Sequence, residues 1–181
     1  PVTGLVRMSG TALGVFCRGS ISTVTGTNID NYSATLISGA EGAIEYTAVD
    51  IGQPLYCSNK GISLIDQTAA YGGFLGGRLS EAITPWLLPR VQRTRNPLPA
   101  SGLIYPSTDS TFFGANVGVL FATVCRSKNQ YRLYFEDGSC LTLTLQGAAR
   151  EPAFTIQRYD KWSMTGAIGE DVKYANFLPL A

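Results

Sequence analysis

The feature that most constrains the fold is a hairpin-like pattern that occurs three times along the chain. Each copy has two short runs of apolar and β-branched residues joined by a turn that contains glycine. Such runs, bounded by turn residues, are typical of antiparallel β-hairpins. The copies are ALGVFCRGSISTVTG from Ala12, PLYCSNKGISLID from Pro54 and QYRLYFEDGSCLTLTLQG over 130–147. The chain is therefore predicted to be mainly β, built of antiparallel hairpins.

The pairing register of the two strands in the last hairpin can be predicted from their own residues. A two-residue turn would place Leu133 opposite Thr142, whereas a three-residue loop over 136–138 places Leu133 opposite Leu141. Because a slip of one residue moves every side chain to the other face, the register that pairs apolar residues should be the stable one. We therefore predict Leu133 opposite Leu141, with Gly138 at positive φ in a bulge.

Several other segments have turn or strand signals. Gly19-Ser20 is a small-residue pair suited to a two-residue turn, and Asn59-Lys60-Gly61 separates the strands of the middle copy. The remaining strand predictions are AIEYTAV over 43–49, GVLFATVC over 118–125 as a buried strand, and AFTIQRY over 153–159.

The turn glycines of the three copies have a spacing that suggests a repeat. Gly61 follows Gly19 by 42 residues, and Gly138 follows Gly61 by 77 residues. A repeat of roughly 40 residues is the length of one four-stranded propeller blade, and the second interval is close to two such steps. A Pro-rich stretch occupies the place of the missing copy. We predict propeller-like blades within one all-β region over 1–181, and hairpins at irregular intervals are the alternative.

One segment, LSEAITPWLLPRVQRTRNP, interrupts the β pattern. It begins with Ser80, a good N-cap residue, and Glu81 lies in the first turn. Pro89 should end the helix, because proline has no N–H to donate. We predict a short helix near 80–88, within a helix and basic connector over 80–99.

Three arginines in this connector have no acidic residue between them: Arg90, Arg93 and Arg95. A basic arm of this kind can contact nucleic-acid phosphates or the acidic surface of a partner protein. A solvated connector is the alternative, because short charge runs usually face water. The three arginines are the candidate partner or DNA contacts.

The residue types that most enzyme chemistry needs are missing or scattered. The chain has no histidine, which excludes Ser-His-Asp and Cys-His catalysis and every His-ligated metal site. The acidic residues form no pair that we would assign to general acid and base roles. The glycine pairs of YGGFLGGRL lack the Lys-Ser or Lys-Thr of a P-loop. We predict no enzyme activity, no catalytic or metal site and no cofactor.

The composition favours a protein whose surface is partly covered by partners. Apolar residues make up 45% of the chain and charged residues only 15%, against about 25% charged residues in ordinary soluble domains. Exposed apolar patches tend to be interaction sites. The net charge of +1 favours neither nucleic acid nor membrane as the main target, and no apolar run is long enough to span a membrane.

The four cysteines are predicted to be buried, reduced thiols. Each lies in a strand-like apolar run, and none is close enough to another to form the paired ligands of a zinc site. Cysteine is among the residue types most often buried, although a disulfide framework is the alternative. The residues are Cys17, Cys57, Cys125 and Cys140.

Four stretches, in this order, resemble a known family: GVFCRGSISTVTG, AIEYTAVDIGQPLYCSNKGISLID, LSEAITPWL and RSKNQYRLYFEDGSCLTLT. The motifs are an apolar strand before a Gly turn, a Gly-Ile strand, a short amphipathic helix and an Asn-Gln-Tyr-Arg run at 129–132. The order of these motifs resembles that in the hub or nozzle proteins of short-tailed bacteriophages. These are also called tail tubular or packaged-DNA stabilisation proteins. None of the resembling motifs is catalytic.

The resemblance implies a propeller-based ring subunit of the virion tail, assembled in the host cytoplasm, that lines or closes the DNA exit channel. It implies contacts with copies of itself, with a portal or adaptor above, with fibres or a needle below, and transiently with exiting DNA. Family members are much longer than this chain. Pro1 leads directly into strand-like sequence without a signal peptide, so we expect a piece of a longer protein rather than a chain that lost its start Met.

Two other functions are compatible with the residues. A β-rich binding module could recognise a host receptor or glycan through aromatic side chains such as Tyr105, Phe112 and Phe113, although packing beneath a long loop is the alternative. A glycan hydrolase would need two carboxylates about 5–9.5 Å apart, and the sequence indicates no such pair.

Overall fold

The strands form three antiparallel sheets, and each sheet is made of four strands that are consecutive in the chain. The structure is a computed structural model that describes residues 1–8, 10–67, 74–95, 118–135, 138–146 and 151–158. Sheet 1 contains β1 (Val2–Arg7), β2 (Leu13–Cys17), β3 (Ile21–Thr25) and β4 (Ser33–Ser38). Sheet 2 contains β5 (Val49–Asp50), β6 (Pro54–Ser58), β7 (Gly61–Gln67) and β8 (Phe74–Arg78). Sheet 3 contains β9 (Val119–Cys125), β10 (Gln130–Phe135), β11 (Ser139–Gln146) and β12 (Glu151–Arg158).

The prediction of a mainly β fold with antiparallel hairpins is therefore confirmed. In every sheet each strand pairs with the strand that follows it in the chain. Within the described ranges one α-helix, α1 (Thr84–Arg95), follows sheet 2, and short 3-10 helices span Ile29–Asn31, Glu81–Ile83 and Arg126–Lys128.

Sheet 2 is the middle layer of the structure, because its strand β6 is buried along its whole length. Tyr56 on this strand packs against sheet 1, with its ring 5.4 Å from that of Phe16. The neighbouring Leu55 and Cys57 belong to a second core, which sheet 2 shares with sheet 3 and α1. Successive side chains of a strand point to opposite faces, so one strand supplies both cores.

The predicted register of the last hairpin is confirmed. Leu133 lies opposite Leu141, and both side chains are fully buried. Gly138 has φ 75°, and its N–H donates to the carbonyl of Phe135 at 3.1 Å. The three-residue loop is therefore the one that lets apolar residues pair, since a slip of one residue would turn these side chains to the other face of the sheet. Glu136 and Asp137 lie outside the described residues.

The turn of the first hairpin is one residue earlier than predicted. The N–H of Cys17 donates to the carbonyl of Ser20 at 2.9 Å, so the turn residues are Arg18 and Gly19. In the middle hairpin Ser58 pairs with Gly61, which leaves only Asn59 and Lys60 in the turn.

The strand predicted over 43–49 is wrong, because only Val49–Asp50 is extended in a ladder. The N–H of Ala43 donates to Cys17 in sheet 1, whereas the N–H of Ile44 donates to Cys57 in sheet 2. Tyr46 has φ 60°, which interrupts an extended chain. The alternating pattern here belongs to a linker that joins two sheets.

The predicted strands over 118–125 and 153–159 are present. However, β9 is an edge strand of sheet 3 and is only half-buried beyond Val119, so the prediction that it is buried is wrong. Strand β12 ends at Arg158, and Tyr159 lies outside the described residues.

The helix continues past the predicted stop at Pro89. Proline in a helix interior costs about 3 kcal/mol, but Leu87 and Val91 on either side of Pro89 are fully buried against sheets 2 and 3. Burial of such side chains contributes about 1.5–3 kcal/mol each, enough to offset the loss. The region predicted as a basic connector is helical up to Arg95.

Ser80 does precede the helical segment, but its hydroxyl does not cap it. The hydroxyl accepts a hydrogen bond from the N–H of Ile62 in β7 at 2.9 Å. The residue therefore connects the start of the helical segment to sheet 2.

Candidate functional site

The linker over residues 39–48 lies between the first strands of sheets 1 and 3. The N–H of Tyr46 donates to the carbonyl of Thr3 in β1 at 3.4 Å, and the N–H of Ala122 in β9 donates to the carbonyl of Tyr46 at 2.9 Å. Both main-chain polar groups of one residue are thus satisfied by two different sheets. This arrangement fixes the linker where the sheets meet.

Tyr46 combines strain with exposure. Its φ of 60° is a left-handed conformation that costs a residue with a side chain about 1–2 kcal/mol, and 73% of its surface is exposed. Strained residues of this kind are often found at functional sites. Its two main-chain hydrogen bonds help to hold the conformation.

Thr47, the next residue, is the polar centre of the same junction. It is fully buried, and its hydroxyl donates to the carbonyl of Ile44 at 2.7 Å and accepts from the N–H of Cys57 at 3.3 Å. Its carbonyl accepts a hydrogen bond of 2.9 Å from the hydroxyl of Tyr131 in β10. Thr47 therefore links the linker to sheets 2 and 3.

Neither titratable group beside Thr47 is prepared for chemistry. Burial raises the pKa of the Cys57 thiol, and burial together with the nearby Cys57 raises the pKa of the Tyr131 hydroxyl well above its usual value. Both side chains are therefore neutral at pH 7, and a neutral buried thiol is inert. Their role is to pack and, for Tyr131, to donate one hydrogen bond.

A second polar cluster ties the linker to the β6–β7 hairpin. The Oε1 atom of Glu41 accepts hydrogen bonds from the hydroxyls of Ser58 at 2.7 Å and Ser63 at 3.4 Å. Lys60 lies 3.9 Å from the other carboxylate oxygen. Burial, and next the charge of Glu41, raise the pKa of Tyr56 to about 12. A single carboxylate bound by serines indicates a structural cluster.

A pocket of about 160 Å³ opens beside Tyr46. Arg18 and Glu45 lie on its wall and form an ion pair at 2.8 Å, with each side chain 46% exposed. Asn59 and the apolar Val119 also line it. The arrangement offers an aromatic ring, hydrogen-bonding groups and an apolar wall, which is the composition of a small binding pocket.

Arg90, a candidate contact residue, is only 5% exposed. Its guanidinium stacks over the ring of Trp86 at 3.8 Å and donates to the Trp86 carbonyl at 2.9 Å. These contacts place it inside the packing between α1 and sheet 3, where Trp86 meets Phe135 edge-on. Its burial weighs against an outward contact by Arg90.

The other two candidate contacts, Arg93 and Arg95, lie in the last turn of α1. The main chain of Arg93 and Arg95 belongs to α1, and their side chains lie outside the described residues. Contact with a partner or DNA therefore stays a prediction for these two. The aromatic candidates Tyr105, Phe112 and Phe113 also lie outside the described residues.

All four cysteines are free and unbonded to one another. Cys57 and Cys140 are buried as predicted, whereas Cys17 and Cys125 are half-buried. Their reduced state in solution stays a prediction.

In the part of the chain that the structure describes, no three side chains of the metal-binding types come together, and no helix is long and apolar enough to cross a membrane. We compared the chain with protein-family models, curated proteins and solved structures, and nothing matched.

Sequence reasoning missed the pocket because it treated residues 43–49 as a strand. Glu45-Tyr46 forms a turn, and no turn residue such as Gly or Asn marks the position. The sequence carries no local signal for this turn: Gly52 marks the turn before the strand at Pro54, and no comparable residue marks Glu45-Tyr46.

Proposed function

We propose that the chain is a structural, non-enzymatic virion protein, a subunit of the hub or nozzle ring of a short phage tail. On this proposal sheets 1, 2 and 3 are successive blades of a β-propeller. The observation that carries it is the repetition of one unit, a four-stranded sheet whose strands follow chain order, three times in succession. Propeller blades have this construction.

Two contacts support the blade interpretation. The first strands of consecutive sheets contact each other, β1 with β5 and β5 with β9, as expected of strands that surround a common axis. The sheets also pack face to face through two separate cores, one between sheets 1 and 2 and one between sheets 2 and 3. On this interpretation the fourth strand of each sheet lies at the outer rim of the propeller. The fourth strand of sheet 1 is β4, and its first four residues are exposed.

The uncovered side of sheet 1 supports further blades. The strand registers place eight apolar side chains on the side opposite to the core, and we call this side the outer face: Val2, Leu5, Leu13, Val15, Cys17, Val24, Ala34 and Leu36. Leu5 is 61% exposed and Leu36 62% exposed. A propeller has about four to eight blades, so the proposal requires another sheet to cover this face.

The virion assignment depends on the resemblance given above, and the resembling residues have structural roles. In the Asn-Gln-Tyr-Arg run, Tyr131 is buried and bonded to Thr47, and the carbonyl of Asn129 accepts from the N–H of Leu145 at 3.0 Å. Rigid blades and repeated packing surfaces are what a channel wall requires. Copies of the chain, portal or adaptor, and fibre or needle proteins are the partners of this proposal, with DNA as a transient contact.

Electron microscopy of purified particles, with an antibody fragment raised against this chain, tests the role. We expect label as a ring at the distal end of the tail. Label on the head shell, or particles without label, would contradict the proposal. An antibody fragment against the major head protein of the same particle is the matched control.

A further inference from the structure

The pocket beside Tyr46 is built by all three sheets. Arg18 comes from the β2–β3 turn of sheet 1, Asn59 from the β6–β7 turn of sheet 2, and Val119 from the start of β9 in sheet 3. The linker closes the remaining side. Residues distant in sequence thus meet at one concave site, where sheet ends and turns position them.

The wall of the pocket is held by main-chain hydrogen bonds to each sheet. The N–H of Ala43 donates to Cys17 at 2.9 Å, the N–H of Ile44 donates to Cys57 at 2.8 Å, and Tyr46 accepts from Ala122 at 2.9 Å. A pre-organised wall lowers the entropy lost when a ligand binds.

Gly42 allows the linker to approach sheet 1 closely. A Cβ atom at this position would collide with the main-chain carbonyl of Cys17. The close approach brings Glu45 within 2.8 Å of Arg18, so the glycine helps to define the shape of the site.

We propose that this pocket binds one neutral sugar ring. Tyr46 lines the pocket and is largely exposed, so its ring would stack on the C–H face of a pyranose, while Arg18, Glu45 and Asn59 would offer donors and acceptors to its hydroxyls. Val119 provides an apolar wall. This mixture of one aromatic platform and several polar groups matches the two faces of a sugar.

The size and charge of the site restrict the ligand further. At about 160 Å³ the pocket is smaller than drug-sized pockets, which span about 300–1,000 Å³, so it accommodates one ring and not an extended chain. Arg18 and Glu45 neutralise each other. A charged sugar would have to disrupt this ion pair, so neutral sugars should bind better than sugar acids.

The site is independent of the proposed scaffold role, because a ring subunit needs no pocket and a sugar site needs no ring. Either proposal can fail alone. The pocket also contains a single carboxylate among the described residues that line it, which is suited to binding and not to glycoside hydrolysis.

Saturation-transfer NMR with glucose, galactose, mannose and N-acetylglucosamine, each against the 181-residue chain, tests the proposal. We expect millimolar affinity for at least one of them, because a small open pocket makes few contacts. Glucuronic acid should bind more weakly than the best neutral sugar. Absence of transfer for all four neutral sugars, or stronger binding of the acid, would overturn the proposal.

Variants of Tyr46 separate binding from folding. Tyr46→Gly keeps the left-handed backbone accessible and removes the ring, so we expect a folded protein with affinity reduced about tenfold or more. Tyr46→Phe should bind within about threefold of the parent chain. Tyr32→Ala removes another exposed tyrosine, 64% exposed, and should leave binding unchanged. Unaltered binding by Tyr46→Gly would contradict the site.

Discussion

The hydroxyl of Tyr131 donates a 2.9 Å hydrogen bond to the main-chain carbonyl of Thr47, 84 residues away in the sequence. Both residues are fully buried. The bond joins the middle of sheet 3 to the linker between sheets 1 and 2, so it couples elements that the chain connects only through long segments.

Tyr131→Phe should lower the free energy of unfolding by about 1–3 kcal/mol, because the buried carbonyl of Thr47 loses the hydroxyl that donates to it. Thermal or urea unfolding followed by circular dichroism measures the change. Tyr32→Phe is the matched control, since the Tyr32 side chain is exposed and should tolerate the change. Equal stability of the Tyr131 variant and the parent chain would count against this connection.

Gly138→Ala should destabilise the β10–β11 hairpin by about 1–2 kcal/mol, because the φ of 75° is unfavourable for a residue with a Cβ atom. Gly19→Ala is the control in another hairpin turn. Gly19 has no positive φ, and an added Cβ would meet nothing within 4 Å. If the two variants melted at the same temperature, the left-handed turn would not be the cause.

The register of this hairpin was predictable because two apolar residues, Leu133 and Leu141, had to face one core. The interruption at Tyr46 was not, because main-chain bonds to Thr3 and Ala122 hold the residue in its left-handed conformation, and both partners are distant in sequence. The alternation of apolar and polar residues along one segment carries no information about such long-range contacts.

The length of the helix could not be predicted from local sequence signals either. Pro89 is a strong local stop signal, but the burial of Leu87 and Val91 against two sheets outweighs it. The charge pattern gave no sign that Arg90 stacks on Trp86, although their spacing of four residues places both on one helix face. Tertiary packing decided both cases.

The stability of the protein should fall above pH 10 in a way that depends on Tyr56. Its pKa is raised to about 12 in the folded state, from 10.0, first by burial and then by the charge of Glu41. The folded state therefore holds the proton more tightly, and this contribution is fully present below pH 10 and is lost as the pH rises through 12.

Urea unfolding between pH 9 and pH 12 measures this dependence. Tyr56→Phe should show a shallower loss of stability with rising pH than the parent chain, because one titrating group is removed. Tyr32→Phe again serves as the control. Parallel pH profiles for the parent chain and Tyr56→Phe would contradict the assignment.

Leu36→Asp should change the stability of the isolated chain by less than about 0.5 kcal/mol, since its side chain is exposed on the outer face of sheet 1. It should also reduce the binding of a hydrophobic dye, measured by fluorescence. Leu133→Ala in the core should cost about 2–5 kcal/mol by comparison. A large loss of stability in Leu36→Asp would indicate that the outer face is already covered.

Cryo-electron microscopy of the assembled protein tests the central proposal most directly. We expect sheets 1, 2 and 3 as adjacent blades around one axis, with the outer face of sheet 1, including Leu5 and Leu36, covered by another four-stranded sheet. An assembled structure in which this face contacts solvent, or in which the three sheets share no axis, would contradict the account.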